Sequence, residues 1–322
     1  MTVGRIARRH GWTIGTYVLL GVLVLYWRSQ THLPWGPFDV QSLAIDTLPL
    51  AFVACGQAIV ILSGGIDLSV GSLMSLVNVF AAKYMIHMSF REALLFAVFV
   101  VLAGALAGAL TGLVIVVTRV ADIIVTLAML FVWAGAALAV LEVPGGGTPV
   151  RFQNLVTVDT VWTSWFPAAL LILLGAYAVL WLTVRRTRLG LTLYAIGSNR
   201  AAAYLAGVHV SRSRVLAYAY SGAFAALGGL ALTAASGLGD PNSGSIYTLN
   251  SVAAVVLGGV SLLGGVGGLL GPIAAAFILT LVKTLMILRG VDQNYAQVIQ
   301  GALIVLVVMI GGLAIRQKAK GS

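Results

Sequence analysis

Charge is the scarcest property of this sequence. Of 322 residues only 9% are Asp, Glu, Lys or Arg, against about 25% in an ordinary soluble domain. Cysteine is nearly absent as well. A single Cys55 inside an apolar run excludes a disulfide framework within the chain. The four histidines, His10, His32, His87 and His209, are scattered without metal-ligand spacing. No hydrolase-type triad stands out, and no G-x-x-x-x-G-K-[ST] phosphate loop occurs. Hydrolysis of ATP by that chemistry is therefore not expected of this chain. Any pumping draws its energy from an ion gradient or from another subunit. The net charge of +10 is not a nucleic-acid signature, because the arginines are confined to the gaps between apolar runs.

What is abundant is apolar surface. Hydrophobic residues make up 60% of the chain, and the mean hydropathy is +1.03. Apolar runs of about 20 residues, long enough to cross a bilayer, recur along it. The reading is an all-α integral membrane protein. It forms one polytopic helical bundle over 1–322 with ten expected spans, near 12–27, 43–62, 68–88, 93–117, 122–141, 162–184, 215–236, 249–264, 269–288 and 295–315. The first run follows Arg5, Arg8 and Arg9 like a signal peptide, but no small-residue cleavage pattern follows it, so it is read as a span. Arg185, Arg186, Arg188, Arg200, Arg212 and Arg214 share one connection, and Arg316, Lys318 and Lys320 follow the last run. The connections at 28–42, 142–161 and 237–248 carry only Arg28 and Arg151. An even helix count and the positive-inside rule put both termini and residues 185–214 in the cytoplasm.

Glycine is plentiful, 38 residues, with many inside apolar runs such as Gly104, Gly108, Gly112, Gly228 and Gly229. In lipid, close backbone approach at small residues does much of the helix packing. Two segments echo each other: VILSGGIDLSVG at 60–71 and VVLGGVSLLGG at 255–265.

The first of these places Asp67 between Gly64, Gly65 and Gly71. An unpaired carboxylate in lipid costs roughly 2.5–3.5 kcal/mol, so it faces protein, water or backbone donors. Asp67 can cap the following helix by accepting from the N–H of Ser69 or Val70, line a solute path, or carry a proton. Gln57, Asn78, Thr111, Thr126 and Asn250 are further polar residues within spans. They serve either interhelical hydrogen bonds or a polar lane. Residues 185–214 are too long for a plain helix connection. Within them Ser198 or Asn199 can cap a short helix that Ala201, Ala202 and Ala203 propagate and Gly207 ends. Such a helix suits docking on a protein or lying on anionic lipid.

LYAIGSNRAAAYLAGVHVSRSRVLAYAYSGAFAALGGL (193–230) resembles the cytoplasmic coupling loop and next helix of the ribose-type sugar permeases of bacterial ATP-binding-cassette importers. ILSGGIDLSVGSLMSL (61–76), IIVTLAML (123–130) and AAVVLGGVSLLGGVGGLLGPIAAA (253–276) resemble three more of that family's segments, in the same order, so the likeness runs from about 43 to 312. The resemblance implies a permease in a bacterial inner membrane, with a cytoplasmic coupling helix and a second permease copy beside it. It also implies a cytoplasmic ATPase that binds ATP and magnesium, so that no cofactor is expected in this chain. An extracytoplasmic sugar-binding protein delivers the solute. Ser63, Gly64, Gly65, Asp67, Ser69, Gly71 and Asn78 then fall near the translocation path. Gly197, Asn199, Arg200, Ala202, Ala203 and Gly207 fall in the ATPase-coupling helix. The chain departs from the family pattern at Asp122, where proline is usual, at Ala134, usually arginine, and at Ala201 and Thr248, usually glutamate. An ion-coupled secondary transporter using Asp67 is the rival reading.

Overall fold

A computed structural model describes residues 3–30, 35–161, 163–292 and 294–302, together with 305, 306 and 309. Among these residues the secondary structure is helical, with two isolated β-bridges and no strand. The helices are α1 (Val3–Gln30), α2 (Pro37–Leu62), α3 (Val70–Met85), α4 (Phe90–Thr118), α5 (Asp122–Val140), α6 (Val150–Thr157), α7 (Ala168–Arg186), α8 (Arg188–Ser198), α9 (Arg200–Leu205), α10 (Val210–Ser236), α11 (Ser245–Leu257) and α12 (Leu270–Leu288). Residues 294–302 are helical too, and the remainder of the tenth expected span lies outside the described residues. Helices α2, α4, α5, α10 and α12 are each long and apolar enough to cross a membrane. Most of α7, bent by 74° against α8, makes a sixth candidate.

The centre of the bundle is α2. Every residue from Thr47 to Leu62 is buried, as expected of a helix that is apolar on all sides and enclosed by others. Around it pack α10, α12, α11 and α7. On the outside, α4 and α5 present Leu95, Leu106, Val117, Ile124 and Phe131 to the surroundings, the pattern of helices whose neighbour is lipid. The most extensive crossing is α4 on α10. A Cβ at Gly108 would lie 2.1 Å from the Tyr218 carbonyl oxygen, and one at Gly222 would lie 2.1 Å from that of Gly104. These backbones touch because both helices lack side chains there.

Several expected boundaries move. The span expected over 249–264 stops at Leu257, because Gly258 and Gly259 turn the chain and Gly264, Gly265 and Gly267 keep positive φ. The span expected over 68–88 is a shorter helix beginning at Val70. The one expected over 162–184 begins at Ala168, after Pro167. Two helices were not foreseen, α6 and α8. Arg214, counted above among loop charges, is only 3% exposed and lies inside α10.

The connections gather at two ends. At one end, Gly145 and Gly239 exchange hydrogen bonds of 2.9 and 2.8 Å, Gln41 reaches the Thr157 carbonyl (2.7 Å), and Arg289 meets Tyr26 and Gln30. At the other end, Trp12 donates to the Leu257 carbonyl (2.9 Å), Tyr194 to that of Gly267 (2.9 Å), and Gly265 to that of Leu62 (3.0 Å). The first set joins the arginine-poor connections and the second surrounds the arginine-rich segment.

Candidate functional site: a glycine-hinged break

At the arginine-rich end α2 stops in a Schellman motif. The Gly64 N–H donates to the Ile61 carbonyl (2.9 Å) and the Gly65 N–H to that of Val60 (3.1 Å), with Gly64 at φ +79°. A side chain disfavours that left-handed turn. Helix α11 ends the same way, with Gly259 (φ +85°) donating to Val256 (2.9 Å) and Val260 to Val255 (3.1 Å). The two echoing sequence segments are therefore two copies of one device. Each is a helix stopped at glycine, then a short break, then a new helix, α3 or α12.

The first break holds Asp67, only 2% exposed. Its Oδ1 accepts from the Ser69 N–H (3.0 Å) and the Ser69 hydroxyl (2.6 Å), and its Oδ2 from the Ser221 hydroxyl of α10 (2.9 Å). With its amide oriented to satisfy both ends, Gln57 of α2 donates to the Asp67 carbonyl (3.1 Å) and accepts from the Asp67 N–H (3.3 Å). Of the two backbone donors expected for Asp67, Ser69 is used. A residue of α2, one at the end of the break and one from α10 thus converge on a single aspartate.

Next to the break lies a charged pair. Arg214 of α10 binds both carboxylate oxygens of Asp122, the first residue of α5, and the Tyr218 hydroxyl donates to the same carboxylate (2.8 Å). Arg214, Tyr218 and Ser221 follow one another at helical spacing, so one face of α10 meets both Asp122 and Asp67. A Cβ at Gly65 would stand 2.5 Å from Asp122 Oδ2 and 2.8 Å from the Tyr218 hydroxyl oxygen. Glycine is what lets the break lie against the pair.

The end of α8 joins the two breaks. A Cβ on Gly197 would meet the Leu62 carbonyl oxygen at 2.0 Å and the Gly265 nitrogen at 2.4 Å. One on Gly264 would lie 2.9 Å from the Cα atoms of both Gly197 and Gly64. From this junction the chain enters α9. Asn199 caps it by accepting from the Ala202 N–H (3.0 Å), and Gly207 (φ +80°) ends it in another Schellman motif.

Residues 40–308 match the family described as "Branched-chain amino acid transport system / permease component". The chain belongs to this permease family. The ribose import permease protein RbsC of Escherichia coli strain K12 is 34% identical over 311 residues, 93% of this chain and 94% of its own length. RbsC of Bacillus subtilis strain 168 is 32% identical over 300 residues, 92% of each chain. The autoinducer 2 import system permease protein LsrC of an Enterobacter species (strain 638) is 35% identical over 270 residues, 82% of this chain and 76% of its own. No solved structure matches the chain.

In this permease the residues expected near the path are only partly together. Ser63, Gly64, Gly65, Asp67 and Ser69 form the break. Gly71 instead packs on α11, where a Cβ would stand 2.2 Å from the Thr248 hydroxyl oxygen. Asn78 lies at the opposite end, donating to Thr233 (2.9 Å) and the Leu238 carbonyl (3.2 Å) and accepting from the Asp240 N–H (2.7 Å) and the Ser243 hydroxyl (3.2 Å). It pins the connection at 237–244. The expected coupling residues divide too. Arg200 and Ala202 are exposed, Ala203 is buried against Ile196 and Val210, and Gly197 lies inside the glycine junction. Partial burial weakens Arg200's hold on its proton, and the neighbouring Arg214 adds to this, while Asp122 opposes it.

Sequence reasoning passed over Tyr204 and Leu205, which are 72% and 85% exposed on α9. It also left Arg214, Tyr218 and Ser221 without a site role. Their spacing along α10 was the available signal, but nothing local assigns them Asp122 or Asp67 as partners.

Proposed function

We propose that this permease forms the translocation path for a sugar or similar small polar solute, as the inner-membrane subunit of an ATP-binding-cassette importer. The full span count is ten, with the arginine-rich end and both termini in the cytoplasm. A second permease copy completes the path. A separate ATPase subunit docks on α9 and supplies the hydrolysis, with ATP and magnesium bound there. A solute-binding protein delivers cargo at the opposite end.

The observation that carries this reading is the junction of Gly64, Gly197 and Gly264. It supports a direct mechanical route from α9 to both breaks, because backbone packed on backbone leaves no flexible side chain to absorb a displacement. Exposed Tyr204 beside Arg200 suits a protein groove, where tyrosine and arginine anchors contribute much of the binding, and exposed Leu205 adds apolar surface next to them. Asp67, its carboxylate already engaged by three donors, serves to hold the break closed on α10.

The test is uptake into vesicles carrying the permease, its ATPase and its binding protein, with D-ribose as the probe. Uptake that needs internal ATP and survives an uncoupler is expected. Uptake that persists without ATP and collapses with the uncoupler would overturn the reading in favour of an ion-coupled carrier.

A further inference from the structure

The Asp122–Arg214 pair lies beside the break, and both of its charges are largely enclosed. The Arg214 side chain is 4% exposed and that of Asp122 is 16% exposed. Burying two charges is costly unless the geometry is good and the remaining valences are met. Here the carboxylate is well satisfied. One guanidinium nitrogen, Nη2, meets both carboxylate oxygens, the Tyr218 hydroxyl adds a further bond, and Asp122 stands in the first turn of α5, where the helix dipole favours a negative charge.

The pair's neighbours suggest its use. On one side, Arg214 lies near the start of α10, which leaves α9 through the turn at Gly207. On the other side, Asp122 and Tyr218 press on Gly65. Thr126, on the next turn of α5, donates to the Ile66 carbonyl (3.3 Å). The start of α10, the start of α5 and the break at 63–69 therefore meet at one carboxylate.

We infer that Asp122 and Arg214 are positioning residues for transport: their ion pair makes the starts of α5 and α10 and the break move as one body, so that a displacement imposed at α9 reaches Asp67 and the path. A charge-assisted contact is stronger than a neutral hydrogen bond, and the Tyr218 hydroxyl holds the same carboxylate from a second direction, which a strut requires and a single hydrogen bond does not supply. The inference rests on the importer reading above for the source of the displacement. The stiffening of the break by the pair does not depend on that reading.

The test has two arms. In the first, the full chain in lipid nanodiscs carries Cys55→Ala and Ile66→Cys, and the rate of maleimide labelling is measured. Neutralising the pair with Asp122→Asn and Arg214→Gln together should raise that rate by about tenfold or more, the scale of losing a close charge pair. Arg214→Lys, which keeps the charge but not the planar guanidinium, should fall between. A reporter at the other end, Asn242→Cys, should label at an unchanged rate. An unchanged rate at Ile66→Cys, or an equal rise at Asn242→Cys, overturns the inference, the latter by showing a general loss of structure. In the second arm, ATP hydrolysis and D-ribose uptake are measured in the same vesicles. The neutral pair should keep hydrolysis while the ATP spent per ribose rises about tenfold. Normal coupling in that variant overturns the inference. Absence of ATP-driven ribose uptake by the unmodified complex counts against the importer reading alone, and the labelling arm then decides the strut.

Discussion

Asp67 is surrounded by neutral donors, one N–H and two hydroxyls, and among the described residues no cationic side chain bonds to it. What those donors require is a short acceptor. Asparagine presents one oxygen to Ser69, and its amide can donate to the Ser221 hydroxyl, which can turn to accept. Alanine presents nothing and leaves two buried hydroxyls and an N–H without a partner, at a cost of about 1–3 kcal/mol for each group left unmet. Asp67→Asn is therefore expected to keep most ATP-driven uptake and thermal stability, while Asp67→Ala loses both. Thermal unfolding and uptake of each purified variant decide this. An asparagine variant that is stable but inactive would show that the charge itself is used. The neighbouring charges behave differently. Removing only Arg214 leaves a largely buried carboxylate uncompensated, an effect of about 3–5 kcal/mol, so Arg214→Gln alone should unfold at lower temperature than the Asp122→Asn/Arg214→Gln double variant.

Helices in this protein meet through missing side chains. At the α4–α10 crossing, Gly104, Gly108 and Gly222 bring backbone atoms into contact, and a Cβ at Gly222 would lie 2.1 Å from the Gly104 oxygen. No rotamer relieves that contact, so Gly222→Ala forces the helices apart and should lower stability by about 1–3 kcal/mol. Gly175 of α7 has nothing within 4 Å of a built Cβ. Gly175→Ala should be neutral or stabilising by up to about 1 kcal/mol, through helix propensity alone. Thermal melts of the two variants in one detergent test the pair. A Gly222→Ala protein as stable as its parent would mean that the crossing adapts. At the end of α9, Gly207 has open space around it but a φ of +80°. Gly207→Val costs about 1–2 kcal/mol in backbone strain without any clash. It should weaken capture of the ATPase subunit while membrane insertion stays normal, as read by co-purification and membrane fractionation.

At the scale of the whole molecule the two ends differ in charge and in what joins them. Ser198 is exposed at the arginine-rich end and Asn242 at the other. In a Cys55→Ala background, Ser198→Cys should resist an impermeant thiol reagent in intact cells and Asn242→Cys should react. The opposite pattern would invert the proposed orientation. The arrangement of ends was legible in the sequence because lysine and arginine avoid the same connections that the fold later joins, as at Gly145 with Gly239 and Gln41 with Thr157. The first glycine break was legible for a local reason as well. Gly64 adopts a conformation that other residues resist, so its position marks where α2 stops, whereas the stop at Gly259 fell inside the span expected over 249–264. The extent of the second break was misjudged. Its run Val260–Leu269 is apolar enough to continue a span, and only its positive-φ glycines show that it does not.

Composition, periodicity and backbone chemistry are properties of neighbours in the chain, and they were enough to determine a helical membrane protein and the stops at Gly64 and Gly207, and to narrow the cap of α9 to Ser198 or Asn199 and the donor to Asp67 to Ser69 or Val70, between which the structure chose Asn199 and Ser69. Partners far apart in the chain were settled by tertiary packing. Ser221 reaches Asp67 and Arg214 reaches Asp122 only because α10 is pressed against both α2 and α4 through small residues. Arg214 in the sequence reads as one more cytoplasmic charge beside Arg212. Helix packing encloses it, and once water is excluded a buried guanidinium is tolerable only where a carboxylate meets it. That pairing comes from the packing of whole helices, which no local pattern of residues encodes.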